Sequence, residues 1–141
     1  MASRSRICRT DVRQALPATS PQGFAVRRGM HPELHICHRD ENDWTVIEIH
    51  GEVDVYTVPR IREHLGKRIQ AGRHRLIVDL TGTTFMDSTG LGLLVGIHKR
   101  IRTRAGALRL VIVNQDIRRI FAITSLDRVF PIYDSTQAAM G

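Results

Sequence analysis

At 141 residues with 42% hydrophobic and 25% charged side chains, the chain has the apolar content to bury a core and reads as one globular domain. No apolar run approaches the ~20 residues that cross a bilayer as a helix, which argues against a membrane protein. The net charge of +7 invites a nucleic-acid reading, yet residues 1–30 hold six arginines against Asp11 alone, and residues 31–141 are nearly balanced at 15 basic and 13 acidic side chains.

Residues 1–30 form a basic, acid-poor leader, and residues 31–141 form the domain. The leader lacks the continuous apolar segment of a secretory signal. Its composition fits a disordered arm, a start codon set too early with Met30 as the true beginning, or an organelle transit peptide. Cys8 and Cys37 are too few for a disulfide framework, so the expectation is two free thiols in a reducing cytoplasm.

Residues 34–39 alternate Leu34, Ile36 and His38 against His35, Cys37 and Arg39, the pattern of a short edge strand. The acidic loop Asp40-Glu41-Asn42-Asp43 turns the chain into a second strand over residues 44–50, with Thr45, Ile47 and Ile49 on one face and Gly51 as its end. These two strands are expected to form a hairpin. Thr57 reads as an N-cap with Pro59 just inside a helix, whose Val58, Ile61, Leu65 and Ile69 recur at helical spacing until Gly72.

Residues 75–80 are nearly all apolar, as a strand buried on both faces requires, and the intervening helix implies a right-handed crossover. The alternation then repeats as a helix over 88–104, a strand over 108–113, a helix over 115–124, a strand over 128–132 and a last helix from about Ser135. The order β-β-α-β-α-β-α-β-α predicts a small α/β domain with a mixed sheet covered by helices.

The informative stretch is Phe85-Met86-Asp87-Ser88-Thr89-Gly90-Leu91-Gly92. It places two hydroxyls and a carboxylate where a buried strand gives way to a helix. A helix start leaves backbone N–H groups without partners, and its dipole favours negative charge, so a phosphate on Ser88 is tolerated there. Asp-Ser-Thr before an apolar periodic run is also what an ordinary N-cap looks like. Along the helix Leu91, Leu94, Val95, His98 and Ile101 make an inward stripe, and Lys99, Arg100, Arg102 and Arg104 crowd the C-terminal end. Gly90, Gly92 and Gly96 each cost roughly 1 kcal/mol relative to alanine. Gly92 and Gly96, one turn apart, are expected to form a flat face for close packing.

This stretch, with Gly51-Glu52-Val53-Asp54-Val55-Tyr56-Thr57-Val58-Pro59 before it and Phe121-Ala122-Ile123-Thr124-Ser125-Leu126 after it, resembles the anti-sigma factor antagonists built on the STAS domain. The resemblance runs from about Leu34 to the C-terminus; the basic leader has no counterpart in compact members. It implies a STAS-like fold and a cytoplasmic binding module. In such a module Ser88, with Thr89 as fallback, is phosphorylated by an anti-sigma factor that is a serine kinase. Asp87, Thr89 and Gly90 frame Ser88, and Asp54, Tyr56 and Thr57 lie on a neighbouring loop of the partner-binding surface. The unphosphorylated form binds the anti-sigma factor and releases the sigma factor; phosphorylation switches binding off, and a serine phosphatase resets Ser88. The alternative is a STAS scaffold or regulatory subunit of a larger assembly that Ser88 phosphorylation does not control.

Enzymatic readings fit less well. Met86-Asp87-Ser88-Thr89-Gly90 lacks the first glycine of a G-x-S-x-G elbow, and the inserted serine separates Asp-Ser-Thr-Gly from an aspartic-protease triplet. A serine hydrolase needs a histidine within reach of Ser88, and His98 is about three turns down the helix. No phosphate-binding G-x-x-x-x-G-K-[ST] loop occurs, and no cofactor is expected. His35 and Cys37 share a strand face that His38 does not, which argues against a metal site. The basic residues of 99–109 and Arg118-Arg119 come without interleaved aromatics and read as a solvated face, not a nucleic-acid surface.

Overall fold

In the computed structural model, which describes residues 8–10 and 34–141, the strands are β1 (Arg9–Thr10), β2 (His35–Glu41), β3 (Trp44–Val53), β4 (Arg75–Asp79), β5 (Thr83–Met86), β6 (Ala107–Val111) and β7 (Ile132–Tyr133). The helices are α1 (Val58–Gln70), α2 (Ser88–Arg102), α3 (Gln115–Ile123) and α4 (Thr136–Met140), with a 3-10 turn at Leu126–Arg128. The sheet order is β1-β2-β3-β4-β6-β7, and β5 pairs with β3. β1, β2 and β3 run antiparallel, while the pairs from β3 through β4 and β6 to β7 are parallel. This is the mixed α/β architecture expected from the alternation of short apolar runs with helical stripes.

Asn42 and Asp43 make the β2–β3 turn, both with positive φ (51° and 69°), the two-residue geometry whose twist suits a hairpin. The period-2 reading of β3 holds. Ile47 and Ile49 enter the main core with Val58, Ile61, Leu65 and Ile69 of α1 and Leu91, Leu94 and Ile101 of α2, whereas Trp44 and Val46 face a smaller cluster with Ile77, Val111 and Ala139. Leu76, Ile77 and Val78 of β4 are fully buried, as a strand covered on both faces must be. Arg109 closes the smaller cluster: its guanidinium lies 4.5 Å from the Trp44 ring centre and donates to the Ala139 carbonyl of α4.

His38 and His64 are buried between β2 and α1, with His38 Nδ1 3.0 Å from His64 Nε2 and Arg68 Nη1 3.1 Å from His38 Nε2. Because a guanidinium only donates, His38 Nε2 is the acceptor. Its proton therefore sits on Nδ1 and points at His64. The polar pair inside an apolar interface is satisfied by a directional chain.

Several expectations are corrected. Cys8 and Cys37 are joined in a disulfide, not free thiols, and Arg9–Thr10 pairs with His38 and Cys37 of β2, so β2 is not the sheet edge. The rest of the leader lies outside the described residues. β3 does not stop at Gly51 but continues to Val53, and the positive φ of Gly51 (120°) marks the irregularity where β3 leaves β4 and takes up β5. β5 itself was not anticipated. It is anchored by Thr83, whose hydroxyl donates to the Ile49 carbonyl at 2.8 Å. Of the strand expected over 128–132 only Ile132 is in β7; Arg128 ends the 3-10 turn that follows the left-handed Ser125 (φ 63°), and residues 129–131 are irregular. Gly92 and Gly96 pack against nothing: a Cβ at either would meet no atom within 4 Å. Among the described residues no helix is long and apolar enough to cross a membrane.

Candidate functional site

The two sequence segments singled out above meet at the C-terminal ends of β3 and β5. Val53 pairs with Met86, and the next residue on, Asp87, donates its N–H to the Val53 carbonyl at 3.2 Å. The start of α2 is thereby fixed beside the loop that leaves β3. Gly90 makes the approach possible. A Cβ there would lie 2.7 Å from Val53 Cγ1 and 2.8 Å from Met86 Cγ, closer than carbon atoms pack.

Asp87 caps α2, its Oδ1 accepting the Thr89 N–H at 2.9 Å and the Thr89 hydroxyl as well. The sequence expectation of a cap is met. The Thr89 oxygen is engaged and only partly accessible, whereas Ser88 is exposed at the first helical position. Among the described residues its hydroxyl has no hydrogen-bond partner. A group added to Ser88 extends into solvent past the dipole-positive end of α2, with the Asp87 carboxylate beside it.

On the adjoining loop the capping roles differ from the expectation. Thr57 occupies the N-cap position of α1 but its side chain does not cap. Asp54 turns the chain instead, with Oδ1 accepting from the N–H groups of Tyr56 at 2.9 Å and Thr57 at 3.0 Å. The Thr57 hydroxyl accepts from the Asp54 N–H and donates to the Glu52 carbonyl, both at 2.9 Å. Thr57 and Gly90 are buried and shape the surface from beneath. Tyr56 stands out from it, 69% exposed.

Two residues missed by sequence reasoning join this surface. Val55 is 56% and Phe85 47% exposed, so with Tyr56 the two segments that meet at the start of α2 carry three large apolar side chains left uncovered. The available signal was an isolated apolar residue between Asp54 and Tyr56, and an aromatic directly before Met86-Asp87. The arrangement is a locked loop beside a capped helix start, with the Ser88 hydroxyl free and apolar side chains exposed in the same two segments.

Other candidate groups stay apart from it. His98 packs its ring on Phe130, 5.3 Å between centres; burial, and secondarily the charge of Arg102, hold its pKa below the ordinary histidine value. Cys8, Cys37 and Glu48 lie close enough to share an ion, but both sulfurs are bonded to each other and offer no thiolate.

Comparison with known proteins finds relatives of the same family and fold. A family model described as STAS domain matches residues 36–139. The anti-sigma-B factor antagonist of Staphylococcus epidermidis is 38% identical over 104 residues, covering 74% of this chain and 96% of that protein. The protein of the same name from Staphylococcus aureus (strain NCTC 8325 / PS 47) is 37% identical over 104 residues with the same coverage. Among solved structures, an anti-sigma factor antagonist from Mycobacterium paratuberculosis has a TM-score of 0.71 at 25% identity, covering 77% of this chain and 92% of that one.

Proposed function

The chain belongs to the STAS domain family, and from that premise we propose that it is an anti-sigma factor antagonist switched by phosphorylation of Ser88. The observation that carries the reading is the exposed Ser88 hydroxyl, without a partner among the described residues, at the capped start of α2, with Val55, Tyr56 and Phe85 exposed in the adjoining segments. The unphosphorylated surface docks on a cytoplasmic anti-sigma factor that is itself an ATP-using serine kinase, and so frees the sigma factor. Asp54, Tyr56, Asp87, Ser88 and Thr89 form the contact, with Thr57 and Gly90 holding its shape. The protein acts by binding and performs no catalysis of its own; a serine phosphatase restores Ser88. The binding module is residues 31–141, to which residues 8–10 are tied through β2.

Phosphorylation works here without refolding. It adds about 1.5 to 2 negative charges and three acceptor oxygens, which the helix N-terminus accommodates but Asp87 repels. In a complex the phosphate would be pressed between apolar side chains and a partner fitted to a neutral hydroxyl. Desolvation and repulsion each remove roughly 1 to 3 kcal/mol, tenfold or more in affinity.

The test is affinity capture from lysate of the source cells with native, Ser88→Ala and Ser88→Asp baits. The native and alanine baits are expected to retain one ATP-binding serine kinase that the aspartate bait loses. Incubation with that kinase and ATP, followed by phosphopeptide mapping, is expected to place the phosphate on Ser88 and not Thr89. A complex retained equally by all three baits would instead identify a scaffold indifferent to Ser88.

A further inference from the structure

At the opposite end of the sheet from Ser88, the β2–β3, α1–β4 and α2–β6 turns enclose a polar cleft of about 280 Å³, lined by Asp43, Thr45, Arg73, His74, Arg75 and Arg104 among others. We propose that this cleft binds a small phosphate-bearing anion. The inference is independent of the reading of Ser88.

Three arginines from two stretches of chain, Arg73 and Arg75 at the entry to β4 and Arg104 after α2, line one cleft. Arg73 is drawn towards Asp40, 3.4 Å away. Arg75 and Arg104 make no ion pair among the described residues, and the one carboxylate in the lining, Asp43, is solvent-exposed. Like charges brought together repel, and an anion between them removes that repulsion.

Arg75 is also held ready. Its guanidinium stacks 4.4 Å from the Trp44 ring centre, which fixes the plane while leaving the N–H donors unspent. A planar fork presented this way matches two phosphate oxygens better than a lysine would. His74 lines the cleft as well, but its Nε2 is buried and out of a ligand's reach. The Thr45 hydroxyl is not available, since it donates to Asp40 at 2.7 Å.

The lining selects the ligand class: guanidinium forks match the oxygens of a phosphate. Phosphate could reach it as a free or esterified small molecule or as a lipid headgroup, and the two sources are separable.

The experiment titrates inorganic pyrophosphate into the full chain while following backbone amide resonances, and in parallel sediments the protein with phosphatidylcholine vesicles with and without phosphatidylglycerol. Saturable shifts at Gly72 and Ala105, which line the cleft, weakened about tenfold in Arg75→Gln and in Arg104→Gln, support a soluble phosphate ligand. Sedimentation only with the anionic vesicles, lost in both variants, supports the headgroup. Thermal midpoints near that of the native chain certify that the variants fold. Absence of both responses, shifts confined to Asp87, Ser88 and Thr89, or undiminished binding by both variants would overturn the proposal.

Discussion

The two ends of the sheet are built alike and differ in charge: one is acidic, while the other sets a basic cleft beside the acidic β2–β3 turn. At the end where Ser88 lies, Glu52, Asp54, Asp79 and Asp87 gather at the C-terminal ends of the strands; at the other, Arg73, Arg75 and Arg104 lie at the entries to β4 and β6. The acidic end also carries the uncovered Val55, Tyr56 and Phe85, and the basic end a polar cleft. The contrast teaches that the overall charge of +7 describes neither surface. A macromolecular partner suits the apolar, acidic end and a small anion the basic one.

α2 spans the contrast, and its glycines divide it. Gly90 has neighbours that admit no Cβ, whereas Gly92 and Gly96 have open space. The largest effect is expected at the acidic end: Ser88→Asp should weaken capture of the anti-sigma factor tenfold or more, at least about 1.4 kcal/mol, while leaving the thermal midpoint nearly unchanged. A midpoint lowered in step with binding would mean the substitution acts through the fold. Gly90→Val should cost about 1–3 kcal/mol in urea unfolding by forcing Val53 and Met86 apart; an unaltered midpoint would show that the junction yields freely.

Gly92→Ala and Gly96→Ala should each gain stability, by up to about 1 kcal/mol, since alanine removes unfolded-chain freedom and meets no obstacle. Loss of stability in both would reveal packing that the described residues do not show. At the basic end, Ala105 holds a left-handed conformation (φ 56°). Its N–H and that of Gly106 donate back to Arg102 and Ile101, the pattern that closes a helix on a left-handed residue. Ala105→Gly should stabilise by about 0.5 kcal/mol after the greater freedom of glycine in the unfolded chain is counted, with capture by the partner unaffected.

The smallest effect is the pH dependence from His98. Its lowered pKa means the unfolded chain takes up a proton at higher pH than the folded one. Stability is therefore retained above the ordinary histidine value, declines as pH falls through it and levels off below the lowered folded value. Urea unfolding from pH 8 to pH 5 should show a shallower decline in His98→Gln than in the native chain; a steeper one would contradict the sign.

Much of this was legible because periodicity reports burial directly. Val58, Ile61, Leu65 and Ile69 form the inner stripe of α1, and Asp87 caps α2. What was not legible depends on partners distant in sequence. β5 is four residues long with Thr84 and Phe85 exposed, too short for alternation to mark it. Its existence rests on Gly51 releasing β3 from one neighbour to another. The division of labour between Asp54 and Thr57 is a hydrogen-bond exchange that either residue type could have led. The Cys8–Cys37 bond spans 29 residues, and neither cysteine carries a local sign of the other. The open face of Gly92 and Gly96 reversed an expectation for the same reason: spacing places two glycines on one side of a helix without saying what lies opposite.

The most direct test of the central claim is a calorimetric titration of the cognate anti-sigma factor into the native protein and into the same protein stoichiometrically phosphorylated on Ser88. Binding by the unmodified chain, weakened at least about tenfold by the phosphate, is the predicted result. Equal affinity for the two forms would contradict it.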